Sequence, residues 1–390
     1  MANTDSQANE DMLEPLRRDD VPRGLIFTLG YRVKPGSRLV FLKSSDARHP
    51  GSTSGGFHQQ SRDSLGHLLG LAQTVSPGAR VAKVRRYMTS GRGHRTPETS
   101  AIWNGAFGGQ LPASTALEVP GSTLLGSVVD LEGWAIAPPD VGADPVQRFP
   151  GGHLTSDAVA VRGDQKVCVA AVKPEPADSV ERELESCLSR IEAEFQQHGA
   201  TTDDVAKLTV YFRDPRSWPV VEAMVFARYG EQSPVVNGVI VSNLFAPGGH
   251  VEVTGWARAD PDGGGDGVAT IDLGDRLLVT TGTGAIDIFM GGEAADMYAQ
   301  TPAGTIEEQA HIGMQNQQKV LEAAGATFDD VFRSNWYVTD MREWDVIEPI
   351  VTSYLGRTPP VPMVVEVSRL TAKQGVRFEP DLWAVLPSSS

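Results

Sequence analysis

Apolar residues in the last third of the chain follow two spacings, and each spacing predicts one kind of element. From Ala310 to Ala324 they recur every three or four positions, which predicts an amphipathic helix. Thr305, followed three residues later by Glu308, predicts a capping box at its start, and Gly325 predicts its end. Short runs of β-branched and aromatic residues predict strands. The predicted order is a hairpin of strands 271–273 and 277–282, helix 305–324, strand 331–339, helix 344–354, and strands 364–367 and 376–385.

A similar order of elements occurs twice earlier in the chain, and three kinds of residue mark the repeat. A Tyr on a strand, a Trp near the end of each unit and a Gly that closes a helix return at intervals of about 125 residues. These landmarks are Tyr87, Tyr211 and Tyr337; Trp134, Trp256 and Trp383; and Gly108, Gly230 and Gly356. A period of this length indicates repeated domains, and three like domains on one chain could build a closed ring without a partner.

Each unit predicts an α+β layer in which helices cover one face of a sheet. The uncovered faces could pack together around a pseudo-threefold axis, and we expect the repeated Tyr and Trp residues to serve that packing. Runs rich in Pro, Gly and Asp predict polar linkers between the units. The predicted organisation is a disordered tail at 1–23, a first domain at 24–137, a linker at 138–152, a second domain at 153–259, a linker at 260–267 and a third domain at 268–387.

Composition and charge argue against several classes of function. The 390 residues carry a formal net charge of −15, which opposes binding to phosphate backbones, so we expect no nucleic-acid partner and disfavour a ribonuclease. No apolar run reaches the roughly 20 residues that span a bilayer, so we expect no membrane partner. The two cysteines and the lack of a secretion signal indicate a cytoplasmic protein. No metal-ligand spacing or phosphate loop is present, so we expect no cofactor.

Several short motifs in the third unit resemble the C-terminal two-thirds of a RidA (YjgF-like) domain. They are LEAAGA at 321–326, YVTDM at 337–341, PP at 359–360 and VEV at 365–367. The other two units carry weaker versions, PASTALEV at 112–119, YFRD at 211–214 and VEV at 251–253. The resemblance implies chorismate-mutase-like domains that form an intramolecular pseudo-trimer, with ligand clefts between neighbouring domains. It also implies hydrolysis of reactive enamines or imines to ketones and ammonia without a cofactor.

The chain departs from the family at its signature, an Arg that pairs with the substrate carboxylate. The matching positions hold Ser114, Val236 and Pro362. No other side chain supplies the fork of donors with which Arg binds a carboxylate, so we expect a substrate other than the usual amino-acid-derived imine. Arg85 or Arg86 could replace this anchor, but adjacent side chains of a strand point to opposite faces, so only one of the two can.

The resemblance also identifies acidic residues and a turn. The acidic residue that helps to position water in family members matches Glu132 and, in the third unit, Glu379, whereas the second unit has Thr254. Half-burial would raise the pKa of such a carboxyl toward neutrality, so we predict general acid or base catalysis by Glu132 and Glu379. The alternative for both is an interdomain salt link. The predicted substrate-binding residues are Ser114, Arg85, the turn Thr281, Gly282 and Thr283, and Glu118 and Glu366, of which the last two also fit structural pairing.

The sequence therefore predicts a small-molecule partner and a monomer that acts as a pseudo-trimer, with further dimerisation left open. We expect an enzyme, in specialised metabolism, that acts on an imine, an enamine or a related carbonyl–amine intermediate. Hydrolysis, tautomerisation and cyclisation in an interdomain cleft all remain open. The alternative is a non-catalytic protein that binds a small molecule or organises a pathway, and loss of all three signature Arg residues favours it.

Overall fold

The described part of the chain contains both helices and strands, with one to five strands between successive helices. The residues that this computed structural model describes are 13–15, 30–33, 37–42, 55–89, 96–108, 111–121, 126–138, 146–150, 156–161, 166–230, 233–244, 248–259, 269–272, 277–280, 304–355, 360–370 and 375–386. The helices are α1 (Phe57–Val75), α2 (Pro97–Phe107), α3 (Val180–Gln196), α4 (Trp218–Tyr229), α5 (Ile306–Ala323) and α6 (Trp344–Tyr354). None of these described helices is long and apolar enough to cross a membrane.

The strands of the described residues fall into two sheets. They are β1 (Leu13–Pro15), β2 (Gly30–Val33), β3 (Arg38–Leu42), β4 (Arg80–Met88), β5 (Ala113–Glu118), β6 (Val129–Ala137), β7 (Val146–Pro150), β8 (Ser156–Val161), β9 (Lys166–Val172), β10 (Val205–Phe212), β11 (Val235–Ile240), β12 (Val251–Ala259), β13 (Ala269–Asp272), β14 (Leu277–Thr280), β15 (Val331–Val338), β16 (Val361–Glu366), β17 (Arg369–Leu370) and β18 (Phe378–Val385). One sheet has six strands and the other twelve.

The elements near the C-terminus form largely where the apolar pattern predicts them. α5 begins after Thr305, and Thr305 and Glu308 form the predicted capping box. β15, α6 and β18 nearly coincide with predicted elements. The predicted hairpin is wrong, because β13 pairs with β9, whereas β14 pairs with β18 and β2. β13 thus extends the neighbouring sheet at the edge of β9 instead of turning back onto β14.

One strand order occurs three times. β4 runs parallel to β5 and antiparallel to β6, which is antiparallel to β3. β10, β11, β12 and β9 follow the same pattern. β15, β16, β18 and β14 follow it again. We call these three groups of strands, with the helices that lie between them in the chain, the first, middle and C-terminal segments.

Strand pairing also joins the segments to one another. β8 pairs with β3 of the first segment and with β11 of the middle segment. β17, which follows β16 of the C-terminal segment, pairs with β5 of the first segment. The hydrogen bonds of the sheets therefore link elements that lie far apart in the sequence.

In every segment the helices bury an apolar face against one side of the sheet. The apolar stripe of α3 is buried, since Leu184, Cys187, Leu188, Ile191 and Phe195 are at most 1 % exposed. Close packing under α3 requires a glycine on β12, since a Cβ at Gly255 would lie 2.6 Å from Cδ1 of Ile191. The helix can approach the sheet this closely only where the strand lacks a side chain.

The opposite faces of the strands pack on one another. The three repeated Tyr residues belong to a fourth apolar cluster to which all three segments contribute. The repeated Trp residues form a second group, in which the ring centroid of Trp383 lies 5.5 Å from that of Trp134 and 5.2 Å from that of Trp256. All six side chains are at most 6 % exposed. The expectation that the repeated Tyr and Trp residues serve packing is confirmed.

Candidate functional site

Strand register shows which residues of the three segments occupy equivalent positions. Glu132 on β6 lies opposite Arg85 on β4. In the C-terminal segment, the same place on β18 is held by Asp381, opposite Asn335. In the middle segment it is held by Thr254, as expected from the sequence. Asp381 is therefore the counterpart of Glu132, although the sequence analysis did not select it.

The predicted match between Glu379 and Glu132 is corrected by the same register. Glu379 lies opposite Tyr337, at the position that Asp130 and Glu252 hold opposite the other two repeated Tyr residues. The sequence did contain the signal that identifies Asp381. An acidic residue stands two positions before the repeated Trp in the first and third units, and Asp381 is that residue in the third.

Glu132 is fully buried and bonds to residues of two segments. Its Oε2 accepts hydrogen bonds from Nη1 of Arg85, at 3.1 Å, and from Oη of Tyr87, at 2.9 Å. Its Oε1 forms an ion pair with Nζ of Lys207 in the middle segment, at 2.5 Å. Both oxygens of this carboxylate are thus engaged by cations or donors of the protein itself.

Asp381 is equally buried and bonds to two cations of the first segment. Nζ of Lys83 lies 2.7 Å from its Oδ1, and Nη2 of Arg85 lies 3.2 Å from its Oδ2. Arg85 therefore bridges the two carboxylates. We call these five residues, Lys83, Arg85, Lys207, Glu132 and Asp381, the buried charge network.

The network holds both carboxylates in the ionised form. Burial alone would raise the pKa of Glu132, but the charges of Lys207 and Arg85 outweigh burial, and the pKa lies below its ordinary value. The pKa of Asp381 is lowered in the same way by Lys83 and Arg85, against the effect of burial. The expected rise in the pKa of Glu132 is therefore wrong, because the carboxyl is fully buried among cations and not half-buried in a cleft.

Arg85 and Arg86 point to opposite faces of β4, as predicted. Arg85 lies in the network, with its Cζ 5.1 Å from the ring centroid of Trp134. Cζ of Arg86 instead lies 4.8 Å from the ring centroid of Trp103, on the helix side of the sheet. The guanidinium predicted as a carboxylate anchor for a substrate thus binds two carboxylates of the protein.

The remaining predicted residues lie apart from the network. Glu118 forms an ion pair with Arg369, at 2.7 Å, and Glu366 accepts a hydrogen bond from the backbone N–H of Met341, also at 2.7 Å. These contacts correspond to the structural alternative for both residues. Ser114 is buried on β5. Thr281, Gly282 and Thr283 lie outside the described residues.

A cleft of about 390 Å³ lies between the middle and C-terminal segments. Val169 lies opposite Trp256, and Val279 lies opposite the equivalent Trp383, so Val169 and Val279 are equivalent positions. Counting on by two residues, 171–173 correspond in sequence to the predicted turn at 281–283. Residues 171–173 line one side of this cleft, and β16 and α6 line the other. The cleft therefore combines the end of β9 in one segment with the strand that carries the signature position of another. We call it the Lys173 cleft.

Two buried polar atoms of residues that line the Lys173 cleft have no described hydrogen-bond partner. Oγ of Ser334 and Nε1 of Trp344 are buried, and neither hydrogen-bonds to any described residue. Burial lowers the pKa of Lys173, and the charges of Glu252 and Glu348 partly oppose this change. Because buried polar atoms are nearly always hydrogen-bonded, these two atoms indicate a place for bound water or a ligand. The cleft thus offers an ammonium, carboxylates, two unused donors and apolar walls.

Comparison with known proteins identifies the C-terminal part of the chain. Residues 270–386 match the family model described as Endoribonuclease L-PSP. A RutC family protein of Saccharolobus solfataricus is 40 % identical over 65 residues, which cover 17 % of this chain and 52 % of that protein. A RutC family protein of Pyrococcus horikoshii is 34 % identical over 67 residues, which cover 17 % of this chain and 53 % of that protein. The chain thus spans about half the length of the curated relatives it matches.

Solved structures give similar matches. The structure of E. coli TdcF with bound serine is 22 % identical, with a TM-score of 0.25, and the match covers 32 % of this chain and 90 % of that one. The YjgF gene product of E. coli is 24 % identical, with a TM-score of 0.23, over 30 % of this chain and 84 % of that one.

The predicted resemblance to the RidA family is confirmed for residues 270–386, whose described helices and strands have an α+β arrangement.

Proposed function

We propose that three RidA-like domains on this chain form an intramolecular pseudo-trimer, with the domain boundaries predicted from the sequence. The threefold recurrence of one strand order supports this arrangement, as does the apolar cluster to which all segments contribute. The buried charge network supports it too, because Glu132 binds Lys207 of the middle segment and Asp381 binds Lys83 of the first. If one chain of 41.8 kDa supplies the whole ring, its interdomain clefts need no second copy. Analytical sedimentation should then show a monomer.

We infer that the Lys173 cleft binds a small imine or enamine and hydrolyses it to a carbonyl compound and ammonia. The observation that carries this proposal is the pair of unused donors, Ser334 and Trp344, in a cleft that also contains Lys173 and the carboxylate of Glu252. The apolar wall would hold the hydrocarbon part of the substrate, and the two donors would orient its heteroatoms.

The reaction needs one water molecule and one proton relay. Glu252 accepts a proton from water as the oxygen attacks the carbon of the C=N bond. Lys173 donates a proton to the nitrogen, which gives a carbinolamine. Glu252 then donates its proton to the nitrogen and Lys173 accepts the hydroxyl proton as the C–N bond breaks and the C=O bond forms, which releases ammonia and returns both groups to their starting state. Because burial lowers the pKa of Lys173, its ammonium is a stronger acid than that of a lysine in water.

In this proposal Glu132 and Asp381 hold the segments together and do not transfer protons. Both carboxylates are ion-paired with cations inside the protein, and both side chains are fully buried. Proton transfer by Glu132, the role predicted from the sequence, would require the buried charge network to open. Glu379 is 4 % exposed and lies at the position equivalent to Glu252, so its predicted role in proton transfer stays a prediction.

A specific observation also favours binding without turnover. The three signature positions hold Ser114, Val236 and Pro362, so no segment has the family's carboxylate anchor there. The carboxylates of Glu132 and Asp381, which hold the family's acidic position in two segments, form ion pairs inside the protein. A protein that binds a small molecule in the Lys173 cleft as a sensor or carrier would have the same features.

Ammonia release from imines generated in situ by an amine oxidase tests the proposal. We expect the full chain to accelerate release, and Glu252→Gln to lower kcat/KM by about 100-fold, because a general base typically contributes 10²- to 10⁴-fold. Glu348→Gln is the matched control, since Glu348 lies on the exposed rim of the same cleft, and we expect a change of about threefold or less.

The outcomes separate the two candidate functions. Ammonia release that Glu252→Gln abolishes and Glu348→Gln preserves supports hydrolysis. Background ammonia release, together with thermal stabilisation by the ketone product that Trp344→Phe weakens, supports binding alone. If the protein does not accelerate ammonia release and neither substrate nor ketone product raises its thermal stability, the Lys173 cleft is not the functional site.

A further inference from the structure

One helix position performs the same structural task in all three segments. Gln60 on α1 and Gln309 on α5 accept hydrogen bonds from the backbone N–H groups of Val128, at 2.9 Å, and Arg377, at 2.7 Å. Each glutamine also donates through Nε2 to a nearby carbonyl, that of Gly126 or Gly375. In both segments the neutral amide thus bonds the helix to the residues just before the last long strand, which is β6 or β18.

The middle segment carries a charged residue at this position. Glu183 on α3 accepts from the backbone N–H of His250, at 2.6 Å, and of Val251, at 3.1 Å. The other oxygen of the carboxylate lies 3.0 Å from Nδ1 of the His250 ring. The Glu183 side chain is 1 % exposed. Glutamine does the same structural work twice in this chain, so the helix can be attached at this position without burying a charge.

The pair fixes the orientation of the imidazole. An ionised carboxylate only accepts hydrogen bonds, so the proton in the Glu183–His250 contact lies on Nδ1. The ring is thereby held with Nε2 available for another partner, as in sites where a carboxylate orients a histidine. The His250 side chain is 41 % exposed, in contrast to the buried carboxylate.

His250 lines a cleft of about 620 Å³ between the first and middle segments, which we call the His250 cleft. Arg213, Ser217 and Ser242 line it too. The guanidinium of Arg213 is exposed and forms no ion pair with any residue in the described part of the chain. The nearby carboxylate of Asp214 is bound by Arg216 through two nitrogens, so its charge is already compensated.

The cleft lies apart from the Lys173 cleft. It is formed where β10 and β11 end and β12 begins, and the start of α3 contributes Val180. The Lys173 cleft, by contrast, is lined by residues 171–173 and Glu252 of the middle segment and by residues of β15, α6 and β16. The two clefts share none of their lining residues.

We propose that the His250 cleft is a second binding site, for a small molecule that carries a carboxylate or phosphate group. Arg213 supplies the charge partner and the planar fork of donors that such an oxyanion prefers. His250 lines the cleft with its Nδ1 bonded to Glu183, which leaves Nε2 for a hydrogen bond with the ligand. The hydroxyls of Ser217 and Ser242 are further donors in the same cleft. This site is independent of the hydrolysis proposed for the Lys173 cleft.

Calorimetric titration of the full chain with inorganic phosphate and, separately, with acetate tests the site. We expect saturable binding of at least one probe, and a loss of about tenfold or more in affinity in Arg213→Gln, because a charge-assisted hydrogen bond is removed. The comparison of the two probes distinguishes a phosphate ligand from a carboxylate ligand. Arg342→Gln is the matched control, since Arg342 sits in an exposed ion pair with Asp340, and we expect its affinity to be that of the unmodified protein.

Glu183→Gln tests whether the Glu183–His250 pair serves ligand binding or only the stability of the fold. This change restores the residue that the other two segments use, so we expect the fold to persist, as judged by thermal unfolding. The oriented imidazole loses its charged partner, and we expect oxyanion affinity to fall by about tenfold. The proposal is overturned if neither probe binds at about 10 mM, or if Arg213→Gln and Arg342→Gln bind equally well.

Discussion

The buried charge network and the Lys173 cleft contain the same kinds of group, and they differ in how fully those groups are paired. In the network, Glu132 and Asp381 bind three cations of the protein at distances of 2.5 to 3.2 Å. In the cleft, the donors of Ser334 and Trp344 have no partner among the described residues. The first arrangement can hold segments together, and the second can accept a ligand.

This difference shows that matching a catalytic position is not enough to assign chemistry. Glu132 matches the acidic position of the RidA family, yet its charge is consumed by Arg85 and Lys207. Glu252, which was not selected from the sequence, lies at the position equivalent to Glu379 and lines a cleft. A carboxylate that is ion-paired inside the protein, as Glu132 is, is not available to a substrate, and the sequence does not reveal that pairing.

The largest expected effect comes from neutralising the network. Glu132→Gln keeps the shape of the side chain and leaves Lys207 without its buried counter-ion. Removing one partner of a buried ion pair typically costs 3–5 kcal/mol, so we expect the free energy of unfolding to fall by about 3 kcal/mol. Urea denaturation measures this change.

Two further variants sharpen the result. Glu348→Gln removes an exposed carboxylate at the Lys173 cleft, and we expect a change within about 0.5 kcal/mol. Adding Lys207→Met to Glu132→Gln removes the uncompensated charge, so part of the lost stability should return. A cost below about 1 kcal/mol for Glu132→Gln alone would show that the network does not hold the segments together.

The network should also govern stability in acid. The pKa values of Glu132 and Asp381 are lowered in the folded protein, so the unfolded chain binds protons more readily. Their contribution is fully present above the unfolded values near pH 4 and is lost as the pH falls through the lowered folded values. We expect a slope of up to about 1.4 kcal/mol per pH unit for each group.

Urea denaturation between about pH 7 and pH 3 measures this slope. Glu132→Gln should flatten it, since one of the two groups no longer titrates. Glu348→Gln should leave it unchanged. An equal slope in the unmodified protein and in Glu132→Gln would mean that other carboxyl groups control unfolding in acid.

The sequence predicted much of the fold, because periodicity and landmarks are local signals. The stripe of α3 and the capping box of α5 follow from residue spacing alone. Three features did not follow. The pairing of β13 with β9 depends on which strand edge is available, and the sequence does not show that. The partners of Glu132 come from positions 45 to 75 residues away, and the Lys173 cleft is built from residues of two segments.

The smallest predicted effect is the most direct comparison of the two regions. Thr280, beside the network, has a buried hydroxyl that donates to the carbonyl of Leu382 and accepts from its N–H. Ser334, in the Lys173 cleft, has a buried hydroxyl with no described partner. Thr280→Val should cost about 1–2 kcal/mol, because it breaks a satisfied pair and strands a buried N–H.

Ser334→Ala should change the free energy of unfolding by about 0.5 kcal/mol or less, because it breaks no hydrogen bond and removes an unsatisfied group from the interior. The same substitution should weaken binding of the ketone product in the Lys173 cleft if the hydroxyl serves the ligand. Equal costs for Ser334→Ala and Thr280→Val in urea denaturation would show that the Ser334 hydroxyl is already paired inside the protein. The contrast between a closed network and an open cleft would then disappear.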